Sequence, residues 1–476
     1  MENKDIHNFT FNISSTINGV SRKTIEKIVS TWYKTDNKTP LIRPDIPEED
    51  TELLKKQISE CILDKKTGDI SRHAKSVHLA MIYISLNPEG KEKFLQILAE
   101  YFDIDTDAIY KNIKKLKEAL DDKEKVKIEQ RLSNLLIPPR VKFLKKIISL
   151  PNGFIFLKDM RQDLLPHTGQ NPRLKKLDND IKNLLTTYFD VNLLNLIEVN
   201  WKSPAALLEK LAESEAVHAI RSWKDLKHRL LHDHKVYAFL HPKMPFEPLI
   251  FVEIAFTNGL APSIQKLLDR KAIPLDPHEA DTAIFYSISN AQKGLRGISY
   301  GNFLIKRVVR ELRAEYKNLK TFSTLSPIPT FMKWLKPFLT ESNEYNFKQK
   351  EKDAITEYTK NNNAGLGLLE ILSAENWHEN KELKKLVKKP LLRLCSYFLL
   401  NVKRKGTRTY DPVANFHLSN GAKIAQINWL GDTSENGMRQ SAGIMVNYKY
   451  KLNKIASNHE EYRTTGKIYS SIDIFQ

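Results

Sequence analysis

The segment Ile284–Ser289 is rich in Ile, Phe and Tyr and reads as a strand. It runs into Gln292-Lys293-Gly294-Leu295-Arg296-Gly297-Ile298-Ser299-Tyr300-Gly301, and a helical pattern opens at Asn302. A strand, a glycine-bearing turn and a helix N-terminus make an anion site. Backbone N–H groups point at the ligand, the helix dipole adds positive potential, and glycine lets the backbone approach closely. The same residues also suit a plain tight turn. His228, His232 and His234 form H-x3-H-x-H, whose first pair shares a helix face with zinc-ligand spacing. Solvated histidines at a helix end are the simpler reading. Cys61 and Cys395 are too few for a disulfide framework or a four-ligand zinc site, so a reducing compartment and no metal are expected. Ser326 sits in a proline-bearing turn, and His417 lies in a short apolar run that reads as a strand. If the fold joins them, they also fit a serine nucleophile with a histidine base.

These groups need elements to position them. Ile109, Ile113, Leu116 and Leu120 recur at helical spacing, and Leu132, Leu135 and Leu136 extend that stripe until Pro138-Pro139 breaks it. A further run follows Arg140 through Ile148, Pro151-Asn152-Gly153 is a turn, and Met160–Leu165 and Leu174–Tyr188 read as helical. The character changes near residue 190. Ser203-Pro204 reads as an N-cap and first helical residue, ahead of Leu207, Leu208 and Leu211. Strands are expected at Val236–Leu240, Leu249–Thr257, Ala283–Ser289, Ala414–Leu418, Lys423–Trp429 and Gly443–Tyr450, with a helix over Asn302–Tyr316. The expectation is an α+β chain. An all-helical domain over residues 1–190 precedes an α/β domain over residues 191–476, with no low-complexity linker.

The loop at 292–301 resembles the Arg/Gln-x-x-Gly-x-Gly/Ala pyrophosphate loop of the GNAT acetyltransferases. The text around it is more specific: HPKMPFEPLIFVEIAFTNGL (241–260), GNFLIKRVVREL (301–312), TFSTLSPIPTFMKWL (321–335), PLLRLCSYFL (390–399), DPVANFHLSNGA (411–422) and GIMVNYKY (443–450). From LIPPRVKFL at 136–144 to Tyr450, the chain resembles the malonyl-CoA decarboxylase family. That resemblance implies a helical N-terminal domain engaged in oligomerisation, with tetramers built as pairs of dimers. It implies a GNAT-like, acyl-CoA-binding catalytic domain that converts malonyl-CoA to acetyl-CoA and carbon dioxide. It puts the catalytic serine at Ser326 and the catalytic histidine at His417. It puts the CoA thioester against Arg296, Gly297, Ile298, Ser299, Tyr300, Gly301 and Asn302, with Tyr450 as a further substrate contact. Asn420, Asp432, His241 and Glu253 lie in matching blocks and are equally suited to structural roles. Two departures stand out. The family's SPIPGF is SPIPTF here, so a position needing positive φ would strain Thr330. Ser299 stands where animal members usually carry Glu.

The chemistry explains why such residues suffice. Breaking the C–C bond leaves a carbanion at C2, delocalised onto the thioester oxygen as an enolate. The protein must align the leaving carboxylate, stabilise the oxyanion and protonate C2. Ser326 can hold the carboxylate, and backbone N–H groups of the 297–302 loop are candidate enolate donors. His417 can donate the proton, since an ordinary imidazole titrates at about 6.5. No metal or redox cofactor is required, and coenzyme A enters as part of the substrate.

Lys and Arg number 75 against 57 Asp and Glu, a net charge of +18 that favours an anionic partner. Residues Lys381 to Arg408 concentrate that charge, yet Leu383, Leu386, Val387, Leu391 and Leu394 interleave as the apolar side of a helix. No aromatic stacking pattern accompanies it, so nucleic acid is not expected. No apolar run is long enough to span a membrane. The opening MENKDIHNFTFN lacks an apolar core and the closing SSIDIFQ lacks a peroxisomal address, so a cytoplasmic location is expected. A GNAT-type acyltransferase and a CoA-thioester-binding protein with reduced catalysis stay open as alternatives.

Overall fold

The computed structural model describes residues 42–472 except 64–68, 151, 170, 189–192, 243, 299–300, 342–346 and 405. Ser299 and Tyr300 therefore lie outside the described residues. The chain forms two compact units. Of the described residues, one comprises those up to Leu194 together with Pro242–Met244 and Gln292–Ile298; the other comprises those of Asn195–His241, Pro245–Ala291 and from Gly301 onward.

The first unit contains the helices Glu48–Leu63, Asp69–Ser85, Pro88–Tyr101, Thr106–Glu118, Asp122–Leu135, Pro139–Ile148, Gly153–Leu164 and Pro172–Tyr188. Capping chemistry starts several of them. Asn87 Oδ1 accepts the Gly90 N–H at 2.8 Å ahead of Pro88, and Asp105 Oδ1 accepts that of Ala108 at 2.9 Å. The apolar stripe expected to run from Ile109 to Leu136 is instead two helices, because Asp121-Asp122 offers a new helix start and leaves Leu120 in solvent. Phe94, Leu98, Phe143, Ile147, Leu157, Leu177 and Ile181 are buried in this unit. Among them Arg140 is buried too, held by Asp180 at 2.7 Å and Asp103 at 3.0 Å.

The second unit is built on an eight-stranded mixed sheet. Its strands are β1 (Asn195–Val199), β2 (His234–His241), β3 (Met244–Thr257), β4 (Thr282–Asn290), β5 (Thr321–Thr324), β6 (Ser326–Pro327), β7 (Lys423–Asn428) and β8 (Met445–Lys449). The order is β1-β2-β3-β4-β5-β8-β6, with β7 also paired to β8. β4 and β5 run parallel, joined through the helix Gly301–Glu315, and pair over Thr282–Phe285 and Thr321–Thr324. Helices Ala205–Ser214 and Trp223–His228 place Leu207, Leu208, Leu211 and Leu226 on Val236, Ala238, Leu240 and Phe251. The first of these starts one residue later than expected. Pro204 is its cap residue, while Ser203 Oγ accepts the Asn200 N–H at 3.1 Å. In Lys381–Asn401 the leucines Leu383, Leu391 and Leu394 are buried, and Lys381, Lys385, Lys388 and Lys389 are exposed. No helix among the described residues is long and apolar enough to cross a membrane.

The stretch Ala414–Leu418, expected as a strand, lies in the helix Pro412–Leu418. Asp411 decides this. Its Oδ1 accepts the N–H groups of Val413 and Ala414, both at 2.9 Å, and Pro412 presets the first helical φ.

Candidate active site

Ser326 opens β6, where it pairs with Val446 of β8. The period-two alternation of extended chain turns Thr324 and Ser326 one way and Leu325 the other. Leu325 packs into a core with Tyr286, Ile284, Ile264 and Met445. Ser326 Oγ donates to Thr324 Oγ1 at 2.8 Å, and that oxygen also accepts the Tyr448 N–H at 3.1 Å. Pro327 and Pro329 limit the backbone freedom of the turn beyond it.

His417 approaches from the last turn of the Pro412–Leu418 helix. Its Nε2 lies 3.1 Å from Ser326 Oγ, and its Nδ1 lies 2.9 Å from the Tyr450 hydroxyl. The Tyr448 ring stacks on the imidazole at 4.7 Å between centroids. Ser326, His417, Tyr448 and Tyr450 are all buried. Because Ser326 gives its hydrogen to Thr324, His417 Nε2 carries the hydrogen shared with Ser326. Nδ1 is then the acceptor from Tyr450. Burial pulls the His417 pKa down to about 3, so the imidazole is neutral at physiological pH. That corrects the expectation of a histidine exchanging protons near neutrality: burial alone sets the shift. Burial likewise raises the Tyr450 phenol far above its ordinary range.

The turn after Ser326 is tied to the same helix. Thr330 donates from both its N–H, at 3.2 Å, and its hydroxyl, at 2.7 Å, to Asp411 Oδ2. Thr330 is not among the residues of positive φ, so the strain anticipated for a non-glycine there is absent.

The glycine-bearing loop is ordered differently. Residues 292–298 belong to the helical unit, where Lys158 Nζ donates to Gln292 Oε1 at 2.8 Å and Arg161 Nη1 to the Gly294 carbonyl at 2.7 Å. A Cβ on Gly294 would lie 2.0 Å from the Lys158 carbonyl oxygen, so only glycine fits there. Gly297 has φ +81, the left-handed region. Arg296 is exposed and Ile298 is buried. Gly301 and Asn302 open the Gly301–Glu315 helix.

Other residues singled out in the sequence have structural partners. His232 is exposed and His228 half-buried, while His234 is buried; the His228 and His234 rings lie 4.9 Å apart, and His234 contacts Asp233 Oδ1 through Nδ1 at 2.9 Å. Among the described residues no group of three or more His, Cys, Asp or Glu could hold a metal ion. Glu253 is fully buried against Arg229 at 2.9 Å, and burial pushes its carboxyl up to about 8. His241 is also buried, at the end of β2. Asn420 Nδ2 donates to the Phe416 carbonyl at 2.7 Å, and Asp432 accepts from Gln265 at 2.8 Å. A cavity of about 770 Å³ opens beside His218, Arg229, Ile264 and Gln265, but neither Ser326 nor His417 lines it. Its Arg229 guanidinium is already engaged by Asp225, Glu253 and the His218 carbonyl.

Thr324, Tyr448 and Asp411 were not singled out from the sequence. Thr324-x-Ser326 alternation and the Asp411-Pro412 cap were the signals that could have found two of them. The result is an α+β protein whose second unit carries a buried Ser–His–Tyr relay where β6 and β8 meet the Pro412–Leu418 helix.

Comparison with known proteins gives that relay a family. A model described as the malonyl-CoA decarboxylase C-terminal domain matches residues 192–476, and one for the corresponding N-terminal domain matches residues 102–189. The mitochondrial malonyl-CoA decarboxylase of Anser anser anser is 39% identical over 355 residues, 72% of this chain and 70% of the relative. That of Rattus norvegicus is 37% identical over 358 residues, covering 73% and 72%. The crystal structure of malonyl-CoA decarboxylase from Rhodopseudomonas palustris superposes with a TM-score of 0.80 at 35% identity, covering 89% of this chain and 98% of that one. The protein from Agrobacterium vitis gives 0.79 at 33%, covering 88% and 98%. The chain belongs to the malonyl-CoA decarboxylase family.

Proposed function

We propose that this chain is a carboxy-lyase that converts malonyl-CoA to acetyl-CoA and carbon dioxide at Ser326 and His417. The observation that carries the reading is the buried relay from Tyr450 through His417 to Ser326, in a chain of this family. The thioester carbonyl is the electron sink, so the reaction asks for no resident cofactor. Ser326 Oγ is the group that holds the malonyl carboxylate, by turning its hydrogen from Thr324 Oγ1 to a carboxylate oxygen when substrate binds. A dry surround favours loss of neutral carbon dioxide over retention of the anion.

Neutral His417 changes how C2 is protonated. A thioester enolate is a far stronger base than imidazole, so no imidazolium is needed. Nε2–H passes to C2 while Nδ1 takes the Tyr450 proton; Nδ1 then returns that proton to the tyrosine as Nε2 takes one from solvent. One C–C bond breaks, one C–H bond forms, and one proton is consumed overall. A covalent acyl-serine is unnecessary, since no acyl group is transferred.

Two glycines and a helix start support the 296–302 loop as the CoA contact: Arg296, Gly297 and Ile298, then Ser299 and Tyr300, then Gly301 and Asn302. A GNAT-like class for the second unit rests on the parallel β4–β5 pair. Only Thr282–Phe285 of β4 pair with β5, which leaves the rest of that strand to diverge as a thioester cleft requires. Tetramers built as pairs of dimers remain our reading of the assembly. Tyr110, Leu120 and Val126 are exposed on the helical pair Thr106–Glu118 and Asp122–Leu135, which buries little else than Asn112 and Ile128. A cytoplasmic, reducing location agrees with buried thiols at Cys61 and Cys395.

The test is turnover of malonyl-CoA in D2O, with methylmalonyl-CoA alongside. Acetyl-CoA carrying one deuterium at C2 supports the reading. Tight CoA binding without carbon dioxide release would leave a CoA-thioester-binding protein. Acyl transfer to an added amine without carbon dioxide release would leave an acyltransferase.

A further inference from the structure

We infer that Thr330 is a positioning residue for the reaction, and that its hydroxyl locks the turn carrying Ser326 to the cap of the helix carrying His417. The inference rests on the proposed roles of Ser326 and His417.

Ser326 and His417 come from segments far apart in sequence, and their 3.1 Å contact needs something to fix both backbones. Asp411 is that junction. One carboxylate oxygen caps the Pro412–Leu418 helix through the Val413 and Ala414 N–H groups. The other receives Thr330, whose hydroxyl bond at 2.7 Å is much shorter than its N–H bond at 3.2 Å. Asp411 is fully buried, so no bulk water replaces a lost donor. The cap sets where the helix starts, and the helix start sets where its last turn presents His417. Thr330 closes the turn Ser326-Pro327-Ile328-Pro329, and its carbonyl accepts the Trp334 N–H at 3.1 Å, starting the next helix. The prolines stiffen the three residues between the serine and this anchor.

A glycine at this position could supply the N–H but not the hydroxyl. SPIPTF in place of SPIPGF therefore adds a bond rather than straining the turn. Thr330 touches neither Ser326 Oγ nor His417 in the hydrogen-bond network, so it acts through Asp411 alone.

The test compares Thr330→Val, Thr330→Ser and Thr330→Gly with wild type in malonyl-CoA decarboxylation, with Ser326→Ala run in parallel. Valine keeps the shape and removes the hydroxyl; serine keeps the hydroxyl. The expected result is a kcat about tenfold lower for Thr330→Val and Thr330→Gly with KM within about twofold of wild type, and recovery in Thr330→Ser. A purely structural role would lower thermal stability without that kcat-against-KM split. Wild-type kcat in Thr330→Val overturns the inference, and so does a Thr330→Ser variant as slow as Thr330→Val. Full activity in Ser326→Ala would instead overturn the reading of the active site, whatever Thr330 does.

Discussion

The neutrality of His417 is the sharpest consequence of the geometry. The ring is buried between Ser326, Tyr448 and Tyr450, and none of these carries a charge that would stabilise an imidazolium. Burial pulls its pKa to about 3. An unperturbed histidine is about 97% protonated at pH 5, whereas one at that value is about 1% protonated. The sign of the linkage follows. The folded state binds fewer protons than the unfolded state, so this contribution to stability is fully present above about pH 6.5. It is lost as pH falls from there toward 3. At pH 5 the loss is about 2 kcal/mol, a value set by the unfolded histidine and insensitive to the last unit of the folded pKa. The assay is a pH series of long-range ¹H–¹⁵N spectra on histidine-labelled protein, with the His417 ring assigned by its disappearance in His417→Gln. The account predicts one protonated nitrogen, Nε2, at every pH from 8 to about 5. A ring that titrates with a midpoint near 6.5 would refute both the burial argument and the relay built on it.

Other outcomes follow from the same contacts. Tyr450→Phe removes the hydroxyl 2.9 Å from His417 Nδ1 and leaves a buried acceptor unpaired. A penalty of about 1–3 kcal/mol expressed in the barrier means kcat falls between about fivefold and about 160-fold, read by acetyl-CoA formation in a variant with wild-type circular dichroism. Gly294→Ala forces a Cβ to within 2.0 Å of the Lys158 carbonyl oxygen and must displace the loop. The expected result is a severalfold rise in KM for malonyl-CoA with kcat less affected, and an unchanged KM would argue against the loop as the CoA contact. Arg140→Met removes the buried guanidinium that pairs with Asp103 and Asp180, leaving Asp103 with only Lys176 among the described residues, at 3.6 Å, as a cationic partner. It should cost about 3 kcal/mol, seen as a lower urea midpoint for the helical unit.

The elements of this chain were legible where local signals were strong. Ile, Val and Phe runs marked β2, β3 and β4, and Pro138-Pro139 marked a helix boundary, because periodicity and proline act locally. His417 was legible as a residue and misread as an element. A short apolar run between turns has no periodicity to separate strand from helix, and the Asp411 cap decided the matter. The pairing of Ser326 with His417 was not derivable from spacing, since β8 brings them together by tertiary contact. Nor was the neutral ring, because a pKa depends on what surrounds a group in space and not on its type. The loop at 292–298 was recognised as a glycine turn. Its membership of the helical unit follows from Arg161 and Lys158, residues whose sequence pattern reads only as helix.

The most direct test of the central claim is acetyl-CoA formation from malonyl-CoA by purified wild type, Ser326→Ala and His417→Ala, with no metal added. The account predicts wild-type turnover and a fall of about a hundredfold or more in each variant, with malonyl-CoA still bound. Turnover that survives either substitution would contradict it.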